Sequence, residues 1–232
     1  MTYLGKSLSL LAMLVFVAAC SSSNTEKTET TDTDSTAQTA TADPVETKGL
    51  INPNLATEAE LSEAGLATEV VSEIMAQRPF LTMTDLDVLL AQTYSDSERA
   101  TLYAMLFVPM NLNTTAEEDF KIIPGVGDRM AHEFEEYRPY AKLAQFRKEI
   151  GKYVDEAEVA RLEQYIFVPV ELNTASEEDI LALPGVGKRM AHEFEEYRPY
   201  SSMEQFRKEI SKYVDDKELA RLERFVYLNA AE

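Results

Sequence analysis

The chain has 232 residues, of which 45% are hydrophobic and 27% are charged, and its formal net charge at pH 7 is −19. A single cysteine excludes an internal disulfide framework, so the folded part must be held together by a hydrophobic core. The acidic excess is spread over the whole chain. It opposes long-range attraction to nucleic acid, because nucleic-acid binders usually have a basic surface.

The first 19 residues have the pattern of an export signal peptide. Lys6 precedes an apolar run over residues 8–19 that is too short for a transmembrane helix. The run leads to Val17-Ala18-Ala19-Cys20, which resembles the lipobox of bacterial lipoproteins. That resemblance implies cleavage before Cys20, lipid attachment at this cysteine and export to the cell envelope. Ser21 favours the outer membrane, on its periplasmic side or at the surface. An ordinary signal peptide with an incidental cysteine is the alternative.

Residues 20–48 consist mainly of Ser, Thr, Ala, Asp and Glu. Such a segment cannot bury enough apolar surface to offset the entropy that it would lose on ordering. We therefore expect a disordered tether that holds the folded part away from the membrane.

The remainder of the chain is made of three repeats of about 60 residues. We call them repeats 1, 2 and 3, and they cover residues 49–108, 109–168 and 169–230. In repeats 2 and 3 the stretch RMAHEFEEYRPY is identical, and it follows the turns Ile-Pro-Gly-Val-Gly and Leu-Pro-Gly-Val-Gly. A fixed period of this kind indicates that each repeat is one supersecondary module.

Repeat 1 has kept the pattern of the fold but has lost the turn. Asn54 matches Asn113 of repeat 2, and Arg78-Pro79-Phe80 matches its Arg-Pro-Tyr. Ala64-Gly65-Leu66-Ala67 replaces the Pro-Gly-Val-Gly turn, so the proline and one glycine are missing. We expect a degenerate copy without a usable hairpin.

Each repeat is predicted to contain four helices, and repeat 3 shows them best. Thr174 and Glu177 have the spacing of a capping box, which predicts a first helix from about Ala175 to Leu183. The glycines of the following turn can take the positive φ that other residues avoid. The second helix has an apolar stripe that includes Ala191 and Phe194, and it ends at Pro199.

The other two helices of repeat 3 are also predicted from their first residues. Ser202 precedes a short third helix from about Met203 to Ile210, and Asp215 with Glu218 begins a fourth. The outer face of the second helix is expected to carry three glutamates: Glu193, Glu195 and Glu196, matching Glu133, Glu135 and Glu136 of repeat 2. No strand pattern of useful length is present, so the fold is predicted to be all-α, with tandem repeats stacked through their apolar faces.

The turn and the residues before it point to a known family. Residues 172–178 (LNTASEE) followed by residues 183–187 (LPGVG) resemble the helix-hairpin-helix family, most closely the bacterial competence DNA receptors of the ComEA type. The match covers the hairpin region of repeats 2 and 3 and extends only loosely to repeat 1. The resemblance implies tandem helix-hairpin-helix repeats that hold a phosphate of double-stranded DNA through backbone amides, without reading its sequence.

The resemblance also implies which residues bind the phosphate. In repeat 3 they are Gly185, Val186 and Gly187 of the turn, with Lys188 and Arg189 beside it. In repeat 2 they are Gly125, Val126, Gly127 and Arg129. Asp128 stands where a binding hairpin favours a neutral or basic residue, so repeat 3 is expected to be the better site.

A second interpretation stays open. The hairpins could serve only to shape the fold of a non-catalytic structural or protein-interaction module of the envelope, whose acidic surface keeps it soluble or meets a basic partner. The Tyr-Arg-Pro-Tyr segments (residues 137–140 and 197–200) could likewise be recognition patches, but helix-end packing is favoured.

No metal, cofactor or catalysis is expected. His132 and His192 have no second ligand at helical spacing, so they do not form a zinc signature. Some DNA glycosylases have a similar hairpin with a catalytic lysine in its first helix. Lys121 has that place in repeat 2, but Leu181 replaces it in repeat 3, and no nucleophile–base pair is evident.

Overall fold

The computed structural model describes residues 49–229. The predicted signal peptide (1–19), the predicted tether (20–48) and the lipidation site Cys20 lie outside the described residues. Repeat 1 contains α1 (Glu58–Glu63), α2 (Thr68–Gln77), α3 (Met83–Leu90) and α4 (Asp96–Leu102). Repeat 2 contains β1 (Met110–Asn111), α5 (Glu117–Phe120), α6 (Asp128–Glu136), α7 (Leu143–Ile150), α8 (Glu156–Glu163) and β2 (Ile166–Phe167). Repeat 3 contains β3 (Val170–Glu171), α9 (Glu177–Leu181), α10 (Lys188–Glu196), α11 (Met203–Ile210), α12 (Asp216–Glu223) and β4 (Val226–Tyr227).

The all-α prediction is confirmed, with one addition at the ends of each repeat. The first and last residues of a repeat pair as two-residue parallel strands, β1 with β2 and β3 with β4. In repeat 1 the same closure is an isolated bridge between Ile51 and Leu106. Strands of two residues are too short to show alternation in the sequence, which is why the pattern did not predict them.

The helix boundaries of repeat 3 agree with the prediction except at its first helix. Helix α11 begins after Ser202 and covers the predicted residues, and the carboxylate of Asp215 accepts a hydrogen bond from the Glu218 amide at 2.8 Å. Helix α9 (Glu177–Leu181) is shorter than the predicted helix from about Ala175 to Leu183. It begins later because Ser176 rather than Thr174 is the N-cap. The Ser176 hydroxyl accepts from the Asp179 amide at 3.2 Å. The Thr174 hydroxyl instead donates to Glu171 at 2.8 Å.

The prediction that Glu133 and Glu193 lie on the outer face is wrong. Both side chains are buried, with 8% of their surface exposed. Glu193 follows Met190 by three residues, so it shares the apolar stripe of α10. Hydrogen bonding, first to Tyr197 and then to Glu193, raises the pKa of the Tyr213 hydroxyl. The Glu193 carboxylate therefore lies at the edge of the core, next to Tyr213, as its spacing of three residues from Met190 would have indicated.

The Tyr-Arg-Pro-Tyr segments are helix-end packing. The Asn173 side chain donates to the Tyr200 carbonyl at 2.9 Å and accepts from its amide at 2.7 Å. The Arg198 guanidinium donates to the carbonyls of Leu172 at 2.6 Å and Ala175 at 2.8 Å. Repeats 1 and 2 have the same asparagine clamp, from Asn54 to Phe80 and from Asn113 to Tyr140. The segment thus fastens the end of the second helix to the loop that opens the repeat.

The buried apolar side chains form two clusters. One is shared by repeats 1 and 2, and the other lies in repeat 3 and includes Phe167 from the end of repeat 2. Arg224 links repeats 2 and 3, because its guanidinium lies over the rings of Phe167 and Phe225 and donates to the Pro109 carbonyl at 2.9 Å. Burial, and then the like charge of Arg221, lowers the pKa of Arg224 to about 10.

None of the helices in residues 49–229 is long and apolar enough to cross a lipid bilayer.

Candidate nucleic-acid interface

The two glycines of each hairpin have different backbone conformations. Gly125 and Gly185 take positive φ values of 84° and 72°, which L side chains rarely adopt. Gly127 and Gly187 are the N-caps of α6 and α10 and have φ values of −102° and −87°, which any residue can adopt. Only the first glycine of each turn is therefore required by backbone geometry.

In repeat 2 the second glycine has no steric reason among the described residues, because a Cβ built on Gly127 would meet no heavy atom of residues 49–229 within 4 Å. At an N-cap, glycine makes the helix only slightly less stable than Ser, Thr, Asp or Asn does. Unlike those residues, glycine has no side-chain acceptor for the first amides of the helix. A residue without a side chain at this place leaves the backbone open to close approach by another molecule.

The helices that follow the hairpins begin without a side-chain cap. Neither α6 nor α10 has a side-chain hydrogen bond at its N-cap, whereas α9, α11 and α12 are capped by Ser176, Ser202 and Asp215. The first intrahelical bond of α10 joins the Ala191 amide to the Gly187 carbonyl at 3.0 Å. Within residues 49–229 the amides of residues 188–190, at the positive end of the helix dipole, have no hydrogen-bond acceptor and are available to an anion.

The hairpin valines fix the turn and do not face solvent. Val126 and Val186 are 6% and 0% exposed. The Val186 amide donates to the Leu183 carbonyl at 3.1 Å, and Val126 makes the matching bond to Ile123 at 3.0 Å. Of the predicted site residues, the valines thus belong to the core. The second glycines and the basic residues after them lie at the surface of the helix N-termini.

The charges around the two hairpins differ. Lys188 and Arg189 are exposed. In repeat 2 the equivalent of Lys188 is Asp128, which pairs with Lys121 at 2.5 Å; Lys188 and Arg189 form no ion pair in the part of the chain that the structure describes. Hydrogen bonding to Lys121 lowers the pKa of Asp128. Repeat 3 therefore presents two exposed cations, whereas repeat 2 presents the Lys121–Asp128 pair and a single arginine.

Arg129, the remaining basic residue of the repeat 2 hairpin, lies over an aromatic ring. Its guanidinium carbon is 5.7 Å from the ring centroid of Tyr153. Residues 127–130 and Tyr153 line a shallow depression at the start of α6. The helix N-terminus is thus accessible in repeat 2 as well, but with less positive charge.

Two of the three acidic residues of the second helix lie at its other end, and the third, Glu193, is buried. Glu195 and Glu196 end α10, and Lys188 begins it. A rise of about 1.5 Å per residue separates Lys188 from Glu195 by about 10 Å along the axis. This distance exceeds the screening length of about 8 Å at physiological ionic strength, so the glutamates weaken the field at the hairpin only partly.

Arg221 of α12 contacts the hairpin of repeat 3, and the sequence analysis did not identify it. It is 1% exposed, donates to the carbonyls of Pro184 at 2.6 Å and Gly185 at 3.3 Å, and pairs with Glu218 at 2.7 Å. A buried arginine that binds two carbonyls of the turn holds it from the inside. The available signal was that Arg161 recurs as Arg221 between apolar residues of α8 and α12.

Residues 166–227 match the family model of the helix-hairpin-helix motif. The matched segment runs from β2 to β4 and contains α9, the Pro-Gly-Val-Gly turn and α10. No curated protein and no solved structure matches the chain. The helix-hairpin-helix prediction is thus confirmed for this segment.

The helix-hairpin-helix turn is altered in repeat 1. Gly65 retains the positive φ, at 83°, but Ala67 replaces the second glycine. The Ala67 amide donates to the Tyr94 hydroxyl at 2.8 Å. Glu69 stands at the position of Arg129. An amide that is already bonded, next to a carboxylate, is a poor site for an anion.

The histidines bind neighbouring carboxylates. His132 Nδ1 lies 3.3 Å from Glu117 Oε2, and this contact raises the pKa of His132. His192 Nε2 lies 3.7 Å from Glu196. Across residues 49–229, no group of three or more His, Cys, Asp or Glu side chains is arranged to hold a metal ion.

Proposed function

We propose that the chain binds double-stranded DNA without sequence specificity, through the backbone amides at the start of α10 and the side chains of Lys188 and Arg189. The observation that carries this proposal is the N-terminus of α10, which is uncapped, follows a glycine and is flanked by two exposed cations. The same arrangement with Arg129 alone makes α6 a weaker second site. The resemblance to competence DNA receptors supports the same function.

The proposed contacts define the kind of binding. Amides and cations at a helix N-terminus bind phosphate oxygens, which are the same at every base pair, so no sequence is read. Few phosphates are contacted, and the chain as a whole carries a charge of −19. We therefore expect low affinity and a strong dependence on salt.

The proposed location is the cell envelope. The apolar run over residues 8–19 and the lipobox-like residues before Cys20 support export and a lipid anchor at that cysteine. Two or more acyl chains hold a protein stably on a membrane, whereas one chain does not. Residues 20–48 would tether a non-catalytic, DNA-capturing domain to the outer membrane, on its periplasmic side or at the surface.

The test is fluorescence anisotropy of a labelled DNA duplex with the full chain in detergent, at low and then rising salt. We expect the logarithm of the association constant to fall linearly with the logarithm of the salt concentration, by about 0.9 per phosphate contacted. Lys188→Glu should remove most of the affinity. Lys208→Glu changes the net charge equally at an exposed position of α11 and should reduce the affinity much less.

These measurements test the binding site and the DNA-binding function separately. Equal affinity of Lys188→Glu and the parent would refute the assignment of the site to α10. An absence of binding even at low salt, where the attraction is largest, would refute the DNA-binding function itself.

A protein-interaction or structural function is the second candidate, and the charge of the chain favours it. All three repeats carry more acidic than basic residues. Such a surface would repel a polyanion and attract a basic partner. Under this proposal the hairpins only connect helices, and capture of a basic envelope protein by the parent and by Lys188→Glu alike would support it.

A further inference from the structure

Repeat 1 contacts the hairpin of repeat 3 directly. A Cβ built on Gly185 would lie 2.6 and 2.7 Å from the two Cδ atoms of Leu55. Those methyl groups therefore cover the α-carbon of Gly185 on one side of the turn. On the inside of the same turn, Arg221 donates to the carbonyls of Pro184 and Gly185. The turn is held between a leucine of another repeat and an arginine of its own.

A second contact joins the same two repeats. Lys217 Nζ, in the first turn of α12, donates to the Ala76 carbonyl of repeat 1 at 3.3 Å. Ala76 lies in the last turn of α2, where carbonyls lack intrahelical partners and the helix dipole favours a cation. Repeat 1 thus contacts repeat 3 at its hairpin and at the helix that carries Arg221.

Within residues 49–229 the hairpin of repeat 2 has no equivalent support, because a Cβ built on Gly125 would approach only the guanidinium of Arg161, at 3.4 Å. The side chain of Arg161 is 33% exposed, whereas that of Arg221 is 1% exposed. Thr114 and Thr174 stand at the position of Leu55 in the other two repeats. Leucine therefore occurs at this position only in repeat 1, in which the Ala67 amide of the hairpin already donates to the Tyr94 hydroxyl.

We propose that Leu55 is a positioning residue for the phosphate site of repeat 3: repeat 1 holds the Gly185 turn and thereby fixes the direction of the amides that begin α10. This inference rests on the proposed function for its consequence in DNA binding, but the support itself is a property of the free protein. A site that is rigid before binding loses less conformational freedom on binding, so its affinity is higher. The degenerate repeat would then contribute to the site without touching DNA.

The contact is tested first by stability. Gly185→Ala and Gly125→Ala introduce the same backbone strain, because both glycines have a positive φ, but only the first places a Cβ against Leu55. We expect Gly185→Ala to lower the thermal unfolding midpoint more than Gly125→Ala does. In the Leu55→Ala background that difference should become much smaller, because only the 3.1 Å approach of the Cβ to the Arg221 guanidinium remains. An equal effect of Gly185→Ala in both backgrounds would show that Leu55 does not hold the turn.

The positioning is tested by hydrogen exchange and DNA binding of the full chain in detergent. In free Leu55→Ala we expect the Val186 amide, whose bond to Leu183 closes the turn, to exchange about tenfold faster. DNA affinity should fall at least about threefold, with a shallower salt dependence because a phosphate contact is lost. Thr114→Ala, at the matching position of repeat 2, should change neither quantity, and Leu55→Ile should restore both.

The results distinguish the inference from the proposed function. Unchanged exchange at Val186 would overturn the support of the turn, and faster exchange with unchanged DNA affinity would overturn the positioning role. If the parent itself binds no DNA, the proposed function fails, and the exchange result alone still decides whether repeat 1 supports the hairpin.

Discussion

An asparagine at one position of each repeat holds the opening loop of that repeat against the end of its second helix. Asn54, Asn113 and Asn173 each use both ends of the side-chain amide on the backbone of a single aromatic residue, at distances of 2.7 to 2.9 Å. Tyr140 and Tyr200, two of those partners, are buried. Backbone groups at such places would lose their hydrogen bonds without gaining water, so the asparagine is required for the loop to pack.

Removal of one clamp should therefore be costly. We expect Asn173→Ala to lower the free energy of unfolding by about 2 kcal/mol, since two hydrogen bonds to partly buried backbone groups are lost at about 1 kcal/mol each. Chemical denaturation followed by circular dichroism measures the change. Asn229→Ala removes an exposed asparagine side chain and is the control. A loss no larger than that of the control would refute the structural role of the clamp.

Two equivalent helices, α5 and α9, differ in how they begin. Helix α9 starts with a capping box between Ser176 and Asp179, whereas its counterpart α5 starts after Ala116 without a side-chain cap. Asp119 stands where Asp179 stands, so repeat 2 contains half of the box. The Ser176 hydroxyl completes the box in repeat 3, whereas Ala116 has no hydroxyl to accept the bond.

The two repeats thus form a reciprocal pair for one experiment. Ser176→Ala should lower the free energy of unfolding by about 1 kcal/mol, and Ala116→Ser should raise it by up to about the same amount. Denaturant titration of both variants measures the changes. Shifts in the same direction would contradict a capping origin.

Local patterns predicted most of these elements, and the errors have local causes. The bounds of α11 followed from Ser202 and the apolar spacing behind it. The start of α9 was misplaced because Thr174 and Glu177 have the capping spacing, while the Thr174 hydroxyl is occupied by Glu171. Glu193 was wrongly predicted to be exposed because it is charged, although it lies three residues after Met190 on the apolar stripe of α10.

The site was predictable only in part for a different reason. The turn glycines and Lys188 follow from a motif of five consecutive residues. Leu55 acts on Gly185 across a separation of 130 residues, and a contact between repeats leaves no period in the sequence. Arg161 recurs in register as Arg221, but nothing in the sequence indicates that the first is partly exposed and the second is buried.

The charge of the whole molecule acts against both folding and DNA binding, but salt affects the two in opposite directions. A chain of net charge −19 is destabilised by self-repulsion in its compact state, and salt screens that repulsion. Salt also weakens any phosphate contact through counterion competition. Varying the salt concentration therefore separates the effect of charge on folding stability from its effect on DNA affinity.

We expect the thermal unfolding midpoint at pH 7 to rise as sodium chloride increases from about 0.02 to 0.5 M, while DNA affinity falls over the same range. Differential scanning calorimetry and anisotropy on the same samples provide the measurements. A midpoint that falls with salt would mean that ion pairs such as Arg207–Glu223 outweigh the net repulsion.

The pairing of the first and last residues of each repeat has a consequence for how such a chain can lengthen. The Val170 amide donates to the Phe225 carbonyl and the Leu172 amide donates to the Tyr227 carbonyl, so the chain leaves repeat 3 where it came in. A gene segment that encodes such a module can be copied in tandem, because the new copy starts where the old one stopped and leaves the interior of its predecessor unchanged. The letter-for-letter identity of residues 129–140 and 189–200 is the kind of trace that a duplication leaves. After a copy is made, one of the modules is free to diverge, and the altered turn of repeat 1 together with Leu55 in that repeat fits that course.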